Sequence, residues 1–268
     1  MARSISFTHA ITRRPCAAII KGLRAVDTGA PDLAMFQQHH ADYIAALKST
    51  GAQVTELAEM EDFPDSVFVE DAALCLPEMA IVMRPGAASR LGEAARMRPV
   101  LEGFYGEVAT IKGPGTIEGG DILVTEKEIL VGRSARTDAD GIAELTDIVT
   151  PHGYAVREVH TPPGVLHFKT DCSLLDKETI LATNRLAATG CFDGYRVIET
   201  AEGEEACANA IRFNGLVLFP AGFPETLEKL KAAGFAVQEI GNSEAAKLDG
   251  GMSCLSLRFS PISDRGEA

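Results

Sequence analysis

One pattern recurs along this chain and restricts the folds open to it. An apolar run, a short polar turn and a second apolar run first occur over residues 71–84, with the turn at Pro77-Glu78. The same order returns over 121–132, 172–183 and 209–220, so the units start 50, 51 and 37 residues apart. Such runs read as β-hairpins. Repeats of this period mark stacked arrays and propellers, because one supersecondary unit cannot bury its apolar face alone. Helical spacing follows several hairpins, over 87–103, 139–149 and 224–233, and a further strand reads over 236–240.

A fifth unit reads as split between the two ends of the chain. Residues 254–259 alternate apolar and polar side chains after the glycine pair Gly250-Gly251, and they read as a strand that pairs with another over 5–11. A helix over 32–48 completes the unit, with Leu33, Phe36, Tyr43, Ile44 and Leu47 on one stripe, Gly51 as terminator and a strand over 52–57. Residues 21–29 have turn residues and no period, and read as a loop. A unit divided between the termini closes a ring. The expected fold class is therefore α/β: a five-bladed α/β propeller of pseudo-fivefold ββαβ modules around a central site. Residues 1–268 form one domain in this reading, with a disordered tail over 260–268.

Composition narrows the partners. The net charge of −13 argues against nucleic acid and anionic membranes and suits a cationic small molecule. No apolar run reaches the ~18 residues of a membrane span, and the N-terminus lacks the apolar core of a signal peptide. The expected location is the cytoplasm. Six cysteines, at 16, 75, 172, 191, 207 and 254, form no C-x-x-C pair and are expected to be free thiols. His39-His40 lie in a helical stretch where neighbouring side chains diverge, which disfavours a metal site there.

Polar clusters stand where the strands begin. Asp65, Glu70 and Asp71 precede the first hairpin, although Asp is depleted in strands. Glu118 and Asp121 lie among glycines at the second, where two carboxylates and no P-loop lysine exclude a phosphate cradle. His167, flanked by Leu166 and Phe168, leads into the third, and Cys254 opens the strand of the split unit. Each residue alone has an ordinary structural explanation: a capped turn, a core histidine, a buried thiol. In a ring, corresponding positions converge on one axis. A cysteine with a histidine there is a nucleophile with a general acid/base. Added carboxylates would repel an oxyanion, but they match the fork of a planar guanidinium.

The motifs FPDSVFVED (63–71), RPG (84–86), SR (89–90), GTIEGGD (115–121), SART (134–137), LHFKT (166–170) and DGGMSCLSLRF (249–259) resemble those of the guanidine-modifying (pentein) superfamily. Within it, the chain is similar to the dimethylarginine dimethylaminohydrolases over nearly its whole length. The resemblance implies hydrolysis of N-ω-methylated arginine to citrulline and a methylamine, with no metal and no cofactor. It implies Cys254 as nucleophile and His167 as general acid/base. Glu118 and Asp71 match carboxylates that hold the guanidinium, and Glu118 also stands near His167. Asp65 and Phe68 match substrate-site positions, Arg90 and Arg136 the residues that bind the α-carboxylate, and Leu23 a mobile lid. The implied partner is a small molecule, methylated arginine; assembly into a homodimer is left open.

Two other readings fit the same residues. Arginine deiminase performs the same chemistry with ammonia leaving, but that family carries a helical insertion not visible here. A catalytically silent arginine-binding protein needs no nucleophile, and the intact Cys, His and Glu set speaks against it. Agmatine has no carboxylate for Arg90 and Arg136 to bind.

Overall fold

The computed structural model of the chain describes residues 4–262. In chain order its elements are β1 (His9–Arg13), α1 (Leu33–Ser49), β2 (Gln53–Leu57), β3 (Ala73–Cys75), β4 (Ala80–Val82), α2 (Leu91–Ala95), α3 (Arg98–Leu101) and β5 (Val108–Thr110). There follow β6 (Ile122–Val124), β7 (Ile129–Arg133), α4 (Ala139–Val149), β8 (Val156–His160), β9 (Cys172–Leu174), β10 (Thr179–Ala182), α5 (Asn184–Ala187) and β11 (Arg196–Glu199). The chain ends with β12 (Ile211–Phe213), β13 (Leu216–Pro220), α6 (Pro224–Ala232), β14 (Val237–Ile240), α7 (Ser243–Ala246) and β15 (Leu257–Phe259).

Among the described residues the strands form five three-stranded sheets: β3-β4-β5, β6-β7-β8, β9-β10-β11, β12-β13-β14 and β15-β1-β2. In each, the first pair is antiparallel and the third strand joins in parallel. A parallel pair needs a crossover connection, and every module places a helix or helical turn in it. The fifth sheet joins the chain ends, with His9 opposite Phe259 and Ile11 opposite Leu257. This is the five-module α/β propeller expected from the hairpin repeat.

Local chemistry explains the helices. The carboxylate of Asp32 caps α1 by accepting from the Met35 N–H, and Gly51 ends it with φ +89°. Phe36, Tyr43 and Leu47 on its inner stripe pack against Ile211 and Leu218 of the neighbouring module. Each contributes about 1.5–3 kcal/mol on full burial. Asp138 caps α4 in the same way, and Ile142, Leu145 and Val149 form its buried stripe.

Several boundaries differ from the sequence reading. The helix expected over 87–103 is a 3-10 turn followed by the short helices α2 and α3. Pro99 has no N–H for a continuous helix and instead sits in the first turn of α3. The first strand begins at His9, four residues late, because the Phe7 N–H is taken by the Asn214 side chain and the Ile5 carbonyl by the Asn214 N–H. Of the expected disordered tail, residues 260–262 are seated: Ser260 Oγ accepts from the Thr8 N–H, and the Ile262 N–H donates to Pro77. Residues 263–268 lie outside the described residues. Among the described residues no helix is long and apolar enough to cross a membrane. All six cysteines are free.

Candidate active site

The first strand of every module is entered through a 3-10 turn: Val69–Ala72, Gly119–Asp121, Phe168–Thr170, Glu205–Ala208 and Ser253–Leu255. The Ser253–Leu255 turn adjoins Val69–Ala72, which adjoins Gly119–Asp121, which adjoins Phe168–Thr170, which adjoins Glu205–Ala208. The polar clusters therefore sit on a ring of turns, not on the strands. Cys254 is the centre of one such turn, three residues before β15 begins.

Eight of the nine residues nominated from the sequence line one cavity of ≈ 180 Å³: Leu23, Asp65, Phe68, Asp71, Arg90, Arg136, His167 and Cys254. The ninth, Glu118, is fully buried behind them. Its Oε2 lies 2.6 Å from His167 Nε2, and its Oε1 accepts from the Gly86 N–H at 2.9 Å and from Arg136 at 3.4 Å. The structure thus gives Glu118 to His167 and Arg136, and not to the cavity wall. Asp71 Oδ1 accepts from the Gly120 N–H at 3.0 Å and stands 4.0 Å from His167 Nε2. Its Oδ2 takes a 2.5 Å hydrogen bond from Arg90.

The two arginines differ in what they have to offer. Arg90 is buried and also donates to Glu93 and to the carbonyls of Asp65 and Phe68. Its guanidinium is occupied by the protein. Arg136 has one ion-pair partner among the described residues, Glu118. Among the other lining residues, Asp65 accepts from the Leu23 N–H at 2.8 Å and Asp249 from the Ala25 N–H at 2.6 Å. Two carboxylates thus strap the loop read over 21–29 against the cavity mouth.

Charge sets the protonation states. Burial opposes the imidazolium of His167, but Asp71, Glu118 and Asp121 outweigh it and raise its pKa to about 9. Burial likewise opposes the carboxylate of Glu118, yet the hydrogen bond and charge of His167, with Arg90 and Arg136, hold it down at about 2. The two form an ion pair at neutral pH. The Cys254 thiol is pushed up to about 12 by burial and by Glu70 and Asp71. Burial also raises Asp65 and moves Glu93 to about 7.

A second group of residues went unassigned in the sequence. Glu70 Oε1 accepts from Lys169 and from Arg258, each at 2.6 Å, and its Oε2 accepts from Ser253 Oγ at 2.6 Å. These four residues line a separate cavity of ≈ 110 Å³. Ser253 and Cys254, neighbours on one turn, therefore face different cavities. The available signal was Lys169, two residues past His167 in a run that enters a buried strand. Tyr43 reaches from α1 to the Met252 carbonyl and Ser256 Oγ, at 2.9 and 2.7 Å, and braces the same turn. Asp71, Glu118 and His167 also bring donor atoms within 4.8 Å of one another, close enough for a metal. Each carboxylate is already engaged by a cation or a backbone N–H.

The chain is similar to known proteins over most of its length. The family model for arginine deiminase matches residues 96–216. A dimethylarginine dimethylaminohydrolase from Pseudomonas aeruginosa is 41% identical, over 94% of this chain and 100% of that one. Another from Streptomyces coelicolor is 32% identical, over 95% of this chain and 98% of that one. A solved structure of the P. aeruginosa protein, a cysteine-to-serine mutant complexed with citrulline, aligns with a TM-score of 0.92 at 40% identity, covering 95% of this chain and 100% of that one.

Proposed function

The chain belongs to the dimethylarginine dimethylaminohydrolase family, and on that premise we propose that it hydrolyses N-ω-methylated arginine to citrulline and a methylamine. The observation that carries the reading is the shared cavity. It holds a thiol, an imidazole and carboxylates, with Arg136 among its lining residues. A substrate with a guanidinium at one end and a carboxylate at the other has partners for both.

In this mechanism the guanidinium lies near Asp71 and the α-carboxylate takes Arg136, because Arg90 is already held by Asp71 and Glu93. In the free enzyme the thiol is protonated. A bound cation opposes the field of Glu70 and Asp71, and the thiol proton leaves to solvent. The thiolate attacks the guanidinium carbon. His167, held protonated by Glu118, gives its proton to the departing amine, leaving a thiouronium adduct on Cys254. His167, now neutral, takes a proton from water, whose oxygen attacks the adduct carbon. Breaking the C–S bond yields citrulline and restores Cys254. Phe68 and Asp65 shape the wall, and the strap through Leu23 excludes water during the first step.

The reading places the reaction in the cytoplasm, in keeping with six free thiols, and it requires no cofactor. It completes the site from one chain and leaves a homodimer open. The test is intact-protein mass spectrometry of a His167→Gly variant mixed with asymmetric dimethylarginine or with an S-alkylthiocitrulline. The variant is expected to bind dimethylarginine without turnover and without adduct, and to accumulate a covalent adduct at Cys254 only from the S-alkylthiocitrulline, whose leaving thiolate needs no proton from His167. Turnover near the wild-type rate would refute the role of His167. Cys254→Ser is expected to fold normally, form no adduct and be inactive.

A further inference from the structure

The β12-β13-β14 module supplies no residue to the wall of the candidate active site. Its contribution lies one layer behind. Asn209 leaves the Glu205–Ala208 turn and is buried, with 6% of its surface exposed. Its Oδ1 accepts from the Ser253 N–H at 2.9 Å, and its backbone carbonyl accepts from the Met252 N–H at 3.2 Å. A backbone N–H needs an acceptor, so the contact with Ser253 fixes which end of the amide is oxygen. The other end, Nδ2, must then face Cys254 Sγ, 3.8 Å away. The Gly251 N–H points at the same sulfur from 3.4 Å. Only glycine fits there, because a Cβ on residue 251 would fall 2.2 Å from Asn209 Cγ.

We propose that Asn209 is a positioning residue for the reaction: with the Gly251 N–H it cradles Cys254 Sγ and stabilises the thiolate that attacks the guanidinium. The inference rests on Cys254 being the nucleophile. Two neutral donors suit this place because the surrounding charges conflict. Glu70 and Asp71 on the Val69–Ala72 turn disfavour the thiolate, while Lys169 on the Phe168–Thr170 turn favours it. His167 shares the cavity with the sulfur. A hydrogen bond to a charged acceptor is about twice as strong as one to a neutral group. The cradle therefore holds the thiolate more tightly than the thiol and lowers the cost of deprotonation when substrate arrives.

The test follows the rate of Cys254 alkylation by iodoacetamide against pH, read on the Cys254 peptide by mass spectrometry. It uses wild type, Asn209→Asp, Asn209→Leu and Cys254→Ser, together with kcat and KM for asymmetric dimethylarginine. Asn209→Asp keeps the acceptor for the Ser253 N–H but replaces the donor. Asn209→Leu keeps the shape without donor or charge. Losing one charge-assisted hydrogen bond should lower kcat roughly ten- to a hundred-fold, with KM changed far less. The alkylation profile should move to higher pH in both variants, further for Asp. A merely structural role for Asn209 would not move that profile.

A second readout needs no Asn209 variant to fold. In wild type the Asn209 side-chain amide protons should shift in NMR as Cys254 ionises, and that step should vanish in Cys254→Ser. Wild-type alkylation profiles in both variants, or an Asn209 amide that ignores the ionisation, would overturn the inference. If Cys254→Ser is inert while the Asn209 variants behave as wild type, this inference alone fails. If Cys254→Ser still turns over, the nucleophile assignment fails and takes this one with it.

Discussion

Replacing Glu118 by Gln probes the pair to which the proposed mechanism assigns the proton transfers. The carboxylate lies 2.6 Å from His167 Nε2, and its other oxygen is fixed by the Gly86 N–H and Arg136. A glutamine that keeps its oxygen on Gly86 and Arg136 must turn its NH2 toward His167. Nε2 can then only accept, which requires the neutral ring. The magnitude follows from the bond that is lost. A hydrogen bond between charged groups is worth about 1.5–3 kcal/mol and one pKa unit about 1.36 kcal/mol. His167 should therefore fall by about one to two units from its value of about 9, the field of Asp71 and Asp121 keeping it from falling further. At pH 8 a group titrating at about 9 is roughly nine-tenths protonated, and one titrating at about 7 roughly one-tenth.

In the proposed mechanism the imidazolium protonates the amine, so the alkaline limb of kcat should move down by the same one to two units. Stability follows the same sign. A His raised above the ordinary 6.5 stabilises the fold in full below that pH, and its contribution is lost as the pH rises through about 9. In Glu118→Gln that window narrows toward neutrality. The assays are the pH profile of kcat and NMR titration of His167 in a Cys254→Ser background. A His167 titration that stays at its wild-type pH, or rises, would refute the reasoning.

Other perturbations test separate parts of the account. Arg136→Ala should raise KM for methylarginine roughly ten- to a hundred-fold, the loss of a charge-assisted contact, and should leave KM for a decarboxylated analogue almost unchanged. Equal effects on both substrates would remove the carboxylate from Arg136. Gly119→Ala should cost at least ~3 kcal/mol, because its Cβ would lie 2.0 Å from the Glu70 carbonyl oxygen. Gly215→Ala, with nothing within 4 Å, should change the melting temperature little. Lys169→Met leaves Glu70 with Arg258 as its remaining cation. It should cost up to ~3–5 kcal/mol in denaturant unfolding and slow alkylation of Cys254, since Lys169 favours the thiolate; an unchanged alkylation rate would dismiss that electrostatic role.

The propeller was legible because its evidence is local. Each hairpin announces itself by two apolar runs around a short turn, and the repeat makes the ring. Its details were settled by contacts that no single stretch contains. Ile5 and Phe7 read as strand, yet Asn214 of another module takes their backbone groups. The 87–103 helix carried its own contrary signal in Pro99, whose missing N–H breaks the run. The candidate site residues were legible as a set through motif resemblance, in that eight of the nine line one cavity. The 3-10 turns beneath them were not, since a three-residue turn leaves no period. The Glu70–Lys169–Arg258 network draws on three modules, so it exists only once the ring has closed. Glu93 needed no ring closure: it lies three residues past Arg90 and clamps it, but the contact forms only in the short turn and helix that replace the expected long helix.

The central claim is the reaction itself. Purified protein should be incubated separately with asymmetric dimethylarginine and with arginine, and citrulline and released amine measured. The account predicts citrulline and dimethylamine in equal amounts from the first and no citrulline from the second. Citrulline and ammonia from arginine alone would make the protein a deiminase and contradict it.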